Sequence, residues 1–169
     1  MENMDMIINE LTTAIEAMDP EILAGGILVM AGAFAAMVAY GIIRYLMTAI
    51  GYSKMYRKAG EAGWKAFIPV YNTYNNYKIS WNGKFFFLYA ALYILFTAIS
   101  NGTHIAVQLA AAAAGIALIV VDAKQNIKMA KHFGKGAGTG IALMFFPGIT
   151  SLILGLGKAE FQGEMIEND

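Results

Sequence analysis

Nucleophiles, bases and metal ligands are scarce in this chain. The serines are Ser53, Ser80, Ser100 and Ser151, the histidines are His104 and His132, and there is no cysteine. Without cysteine there is neither disulfide nor thiolate chemistry, and two histidines with no sulfur beside them fall short of a zinc site. Gly134-Lys135-Gly136-Ala137-Gly138-Thr139-Gly140 has the glycine content of a phosphate loop. It lacks the GxxxxGK[ST] spacing, however, and leads into an apolar stretch instead of following a strand. The residues therefore point to no catalytic constellation, no cofactor and no metal, and the expectation is a protein that is not an enzyme.

Two ionisable residues stand at the margins of long apolar stretches, Arg44 and Asp122. A charge at membrane depth is costly and seeks a partner. An Arg44–Asp122 ion pair between helices is the specific contact this predicts. The alternative is that Arg44 snorkels to headgroups while Asp122 belongs to the following loop. Gln108 and Asn101 are the other polar candidates inside apolar sequence, and they are too few to mark a pore.

The elements that carry these residues are written in the apolar content. Of 169 residues 58% are apolar and 14% charged, with a mean hydropathy of +0.53, against about 45–50% and about 25% in soluble domains. So small a domain has little interior to hide that excess. Three stretches contain no Asp, Glu, Lys or Arg: Ile22–Ile43, Phe85–Val121 and Gly136–Gly157, of 22, 37 and 22 residues. About 20 apolar residues cross a bilayer as a helix. The middle stretch is long enough to cross twice and carries a turn signal, Asn101-Gly102-Thr103-His104, near its centre. The prediction is an all-α polytopic membrane bundle of about four transmembrane helices, over about 22–48, 85–100, 105–121 and 138–157. One long tilted helix in place of the hairpin is the alternative, disfavoured because Asn-Gly-Thr is poor helix interior.

Charge is segregated along the chain although the net charge is zero. Residues 1–21 carry six acids and no Lys or Arg, unlike the basic start of a secretory signal. The 51–84 segment carries Lys54, Arg57, Lys58, Lys65, Lys78 and Lys84 against Glu61, a sum of +5, and 122–135 carries Lys124, Lys128, Lys131 and Lys135 against Asp122, a sum of +3. The tail 158–169 holds Lys158 against Glu160, Glu164, Glu167 and Asp169. Four crossings put both basic loops on one side and both acidic ends on the other. The positive-inside rule makes the loops cytoplasmic and both termini extracytoplasmic, which predicts a multi-pass protein of the cytoplasmic membrane. His104 and His132 then lie on opposite sides.

Residues 1–21 form an outlying acidic, amphipathic helix with an apolar stripe at Met4, Ile7, Ile8, Leu11, Ala14, Ile15 and Met18. Asp19-Pro20-Glu21 reads as a fresh helix start. The 22–157 stretch is the membrane domain and 158–169 an acidic tail. Between the first two spans, residues 66–77 form an uncharged run too short to cross. Trp64, Pro69, Tyr71, Asn72, Tyr74 and Trp81 mark this Pro-Tyr-Asn segment as interfacial, with tryptophan and tyrosine at headgroup level, or as re-entrant.

This segment also carries a resemblance. Lys58-Ala59-Gly60-Glu61-Ala62-Gly63-Trp64-Lys65-Ala66-Phe67-Ile68-Pro69-Val70-Tyr71-Asn72-Thr73-Tyr74 resembles the hallmark of an uncharacterised family of small prokaryotic membrane proteins. His132-Phe133-Gly134-Lys135-Gly136, Pro147, Leu154-Gly155-Leu156-Gly157 and Phe161-Gln162-Gly163 look like its closing pattern, so that the resemblance covers roughly 36–163. In some bacteria a similar domain precedes a signal peptidase I module. The resemblance implies a multi-spanning bacterial membrane domain and brings no catalytic residues. Peptidase chemistry of that kind pairs a serine with a lysine base in a sizeable extracytoplasmic domain, and no outer loop of this chain is large enough to be one.

Two functions follow from different classes. A non-catalytic membrane scaffold or accessory protein fits the missing chemistry and the basic, aromatic-rich cytoplasmic face, which can hold anionic lipid headgroups at about 1 kcal/mol per basic residue. A homo-oligomeric channel or small-solute transporter would use the Pro69 segment as a discontinuous element. Small residues such as Gly25, Gly26, Gly32 and Ala110–Ala114 allow close helix contact, within one bundle or between copies. An acidic protein or nucleic-acid partner on the basic face is a lesser alternative, since orientation in the membrane already explains the charge.

Overall fold

Proline and glycine set the helix limits. The computed structural model describes residues 2–17 and 19–163. Along them run α1 (Glu2–Glu16), α2 (Pro20–Lys58), a 3-10 turn (Gly63–Phe67), α3 (Pro69–Ser80), α4 (Lys84–Ile99), α5 (Ile105–His132), α6 (Ala137–Phe145) and α7 (Pro147–Leu156). The described residues are all helix and connection, without a strand. Pro20, Pro69 and Pro147 open α2, α3 and α7, where a missing N–H and a fixed φ cost nothing. At α2 the Asp19 carboxylate also accepts from the Glu21 N–H at 2.9 Å.

The two longest helices stop in the same way. At Gly60 (φ +77°) the Glu61 N–H bonds to the Tyr56 carbonyl and the Gly60 N–H to that of Arg57. At Gly134 (φ +66°) Lys135 bonds back to Ala130 and Gly134 to Lys131. Both are Schellman ends, which need a left-handed residue that glycine supplies without strain.

α2, of 39 residues, and α5, of 28, are long and apolar enough to cross a membrane; α4 and α7 are shorter apolar helices. The chain divides into two compact units, Met1–Ile43 and Arg44–Asp169. In the first, Met4, Ile7, Ile8, Leu11 and Ile15 of α1 are exposed, as is every large apolar residue of α2 from Ile22 to Ile43 except the half-buried Leu23. The side chain of Ala14 and all of Met18, of the expected α1 stripe, lie outside what is described, as do Glu164, Glu167 and Asp169 of the tail.

The second unit holds the core: Tyr52, Met55, Tyr56, Ala66, Ile79, Met129, Ala130, Phe133, Leu143 and Leu154. These come from the C-terminal parts of α2 and α5, the 3-10 turn, α3, α6 and α7. Upstream, α4 packs against the apolar part of α5, where a Cβ on Gly115 would lie 3.4 Å from the Phe96 ring. α4 and α5 are thus two packed helices joined by the short 100–104 connection.

The 138–157 stretch differs from its expectation. It is two helices, broken at Phe146-Pro147, and the second returns toward the end from which the first came. α6 starts beside the end of α5, with Gly140 so close that a Cβ would sit 2.4 Å from the Ile127 Cα. It reaches the level of Asp122, where Met144 and Pro147 border a common cavity with that residue. α7 then follows α2 in the same direction, with Gly148 beside Met47 and Thr48 and Gly155 against Gly51 and Lys54. The Lys58 ammonium donates to the carbonyls of Leu154, Gly157 and Ala159 at 2.8, 2.7 and 2.8 Å and so caps α7. Beyond it the Gln162 N–H donates to the His132 carbonyl at 2.6 Å. The physical cause of the break is Pro147, which lacks an N–H and clashes with the preceding turn. At nine and ten residues each half is about 14–15 Å long, half of a hydrocarbon core of about 30 Å.

Candidate functional site: a basic cleft at the ends of α3 and α5

A concavity lies where the end of α3 meets the end of α5. It encloses about 370 Å³ and is lined by Glu61, Lys78, Ser80, Trp81, Lys128, Lys131, His132 and Phe161, with Ala59, Ile79 and Gly163 completing the wall. Lys128 and Lys131 lie near the end of α5, Lys78 in the last turn of α3. Cations are favoured there because each helix C-terminus carries a partial negative charge.

Specific contacts position each group. The Lys128 ammonium stands 4.9 Å from the centre of the Trp81 ring, and Trp81 itself stacks on Phe85 at 3.7 Å. His132 places Nδ1 2.9 Å from the Ile79 carbonyl and meets the Phe161 ring edge-on. Glu61 pairs with Lys65 at 2.6 Å and with Lys78. Hydrogen bonds from Lys65 and then Lys78 hold its carboxyl below the ordinary carboxylate value, and the same contact with Glu61 holds the Lys78 ammonium above its usual range. Three lysines and a histidine thus face one carboxylate, which Lys65 already shares.

The Pro-Tyr-Asn segment forms the scaffold behind the cleft. Pro69 opens α3. Tyr56 brings its hydroxyl to the Asn72 carbonyl and to Asn76 Oδ1, both at 2.8 Å, and to the Asn72 side chain. Gln125 donates to the Asn76 carbonyl and to Ser80 Oγ. Tyr74 packs edge-on against Phe86 and Phe87, and Trp64 against Tyr71. The outer face stays apolar and exposed at Trp64, Phe67, Ile68, Val70 and Tyr71. Tyr45 donates to the Phe67 carbonyl, so this face lies at the α2 level where Gly148 of α7 also packs. Phe145, Phe146 and Ile149, at the turn of the α6–α7 hairpin, are exposed as well.

Arg44 and Asp122 make no ion pair; among the described residues both ion pairs fall on Glu61. Arg44 is exposed on α2. Asp122 instead lines a separate polar cavity with Tyr52, Tyr77, Tyr89, Gln125 and Asn126. The remaining basic residues divide by role. Lys58 caps α7 and Lys65 holds Glu61, whereas Lys54, Arg57, Lys84, Lys124 and Lys135 are exposed. His132, Glu61 and Phe161 join the cleft without having been expected there. The visible signal for the first two is their position beside the Schellman glycines that end α5 and α2.

Residues 64–164 match the Family of unknown function (DUF5684). No curated protein and no solved structure matches the chain. With α3 to α7 and the whole lining of the cleft except Ala59 and Glu61 inside a match that spans more than half its length, the chain belongs to DUF5684, a family of unknown function.

Proposed function

We propose that this is a non-catalytic, multi-pass protein of the cytoplasmic membrane whose inner face holds phosphate-bearing lipid headgroups in the basic cleft. In this reading α2, α4 and α5 cross the bilayer and α6–α7 dips into the inner leaflet and returns. Three crossings and a return place Lys158 on the same side as both basic loops. All 12 basic residues then lie at or inside the inner boundary, and the outer segments, 1–21 and 101–104, hold none. That accords with the positive-inside rule more fully than four crossings do. The apolar faces of the 3-10 turn and the hairpin tip, both at the α2 level of Tyr45 to Thr48, support seating at the headgroup boundary, where Arg44 snorkels.

The observation that carries the headgroup reading is the convergence of Lys78, Lys128, Lys131 and His132 on one 370 Å³ cleft beside Trp81. The full chain in nanodiscs of mixed phosphatidylglycerol and phosphatidylcholine tests it, with retained lipid measured by native mass spectrometry. Phosphatidylglycerol should be retained selectively. Lys128→Ala and Lys131→Ala should each weaken that retention about fivefold, the equivalent of about 1 kcal/mol per basic residue. Equal retention of both lipids, or indifference to the two substitutions, would defeat the reading.

A small-solute path is favoured by one specific observation: a broken helix pair borders the polar cavity at Asp122, and discontinuous helices accompany substrate sites in transporters. Flux through proteoliposomes that disappears on Asp122→Asn would move the function to that class.

A further inference from the structure

The cavity at Asp122 is separate from the cleft and has its own chemistry. It encloses about 210 Å³, and its lining includes the Asp122 carboxylate, the rings of Tyr52, Tyr77 and Tyr89, and the Asn126 amide, with Pro147 of the helix break at its edge. Asp122 has no ion-pair partner among the described residues. The Asn126 amide donates to its backbone carbonyl at 2.9 Å. Tyr77 is 2% exposed, and its hydroxyl has no hydrogen-bond partner. A buried hydroxyl left unpaired costs about 1–3 kcal/mol, and an acid without a counter-ion at the membrane margin marks a functional site. Both residues line this one cavity.

We propose that this cavity binds a small primary ammonium ion. One carboxylate supplies the counter-charge, tyrosine faces stabilise a cation through their quadrupoles, and the Tyr77 oxygen accepts one ammonium N–H. A bare alkali ion needs close oxygens all round and leaves most of 210 Å³ unfilled. A quaternary ammonium has no N–H to satisfy Tyr77.

Calorimetric titration of the full chain in phosphatidylcholine nanodiscs with ethylammonium chloride tests the assignment, with sodium chloride and tetramethylammonium chloride as matched probes. Saturable binding of one ethylammonium per chain is expected, with neither matched salt competing at equal concentration. Tyr77→Phe should weaken it about fivefold and Asp122→Asn at least tenfold, each in protein whose thermal unfolding confirms that it is folded. Should Asp122→Asn not fold, Tyr77→Phe and the competition decide alone. Absence of saturable binding, equal binding by sodium or tetramethylammonium, or full affinity in Tyr77→Phe would overturn the proposal.

Discussion

Glu61 sets both the charge and the acid stability of the cleft. Its carboxyl is held low by Lys65 and Lys78, so its pairing stabilises the fold above the pKa of an unfolded glutamate, about 4.3. That contribution is lost as pH falls through the lower folded value. Thermal unfolding against pH should therefore show a decline below about pH 4 that flattens in Glu61→Gln. A decline of unchanged depth in the variant would assign it to other carboxylates. Tyr56 is the second decisive side chain, since its hydroxyl ties α2 to Asn72 and Asn76 of α3. Tyr56→Phe removes this hydrogen bond to half-buried acceptors and should cost about 0.5–1.5 kcal/mol, read as a lowered denaturation midpoint. The cleft was partly legible from sequence. Lys78, Lys128 and Lys131 stand in a recognisably basic face, and Trp81 beside them. That Glu61 spends itself on two lysines, and that His132 turns toward Ile79, depends on how α3 docks, which no local spacing encodes. Asp122, Gln125 and Asn126 share one helix face at i, i+3 and i+4, and that polar stripe is the sequence signal for the cavity.

At the scale of elements, composition reveals the long helices because it is the hydrophobic requirement itself. The charge-free runs coincide with α2, with α4 and α5 joined by the Asn101-Gly102 turn, and with α6 and α7. What composition misses is direction. A 22-residue apolar run meets the length of a crossing, and membrane helices tolerate proline, so Pro147 does not by itself separate a kink from a return. The return is fixed by close approaches instead: α7 lies on α2 through Gly51, Ser151 and Gly155, with a Cβ on Gly51 falling 2.1 Å from Ser151 Oγ. Gly51→Val must separate these helices and should cost about 1–3 kcal/mol or more. Gly32→Val, with nothing within 4 Å of its Cβ, should leave the melting temperature unchanged. Equal effects at both positions would remove the α2–α7 contact from the fold.

For the whole molecule, the basic cleft, the capped end of α7 and residues 159–163 belong to one compact unit built on the C-terminal ends of α2 and α5. A helical hairpin returning to that unit explains why Phe161 packs against both His132 and Phe133, residues that four full crossings would separate by a bilayer. The inner-face reading stands on this topology, because a tail on the outer side would dismantle the cleft wall. The chain has no cysteine, so single substitutions report position directly. Asn9→Cys, Thr103→Cys and Glu160→Cys, each treated in intact cells with a membrane-impermeant maleimide and again after permeabilisation, decide the matter. The first two should label from outside, and Glu160→Cys only once the membrane is opened. Labelling of Glu160→Cys in intact cells would contradict the returning hairpin and the inner-face cleft together.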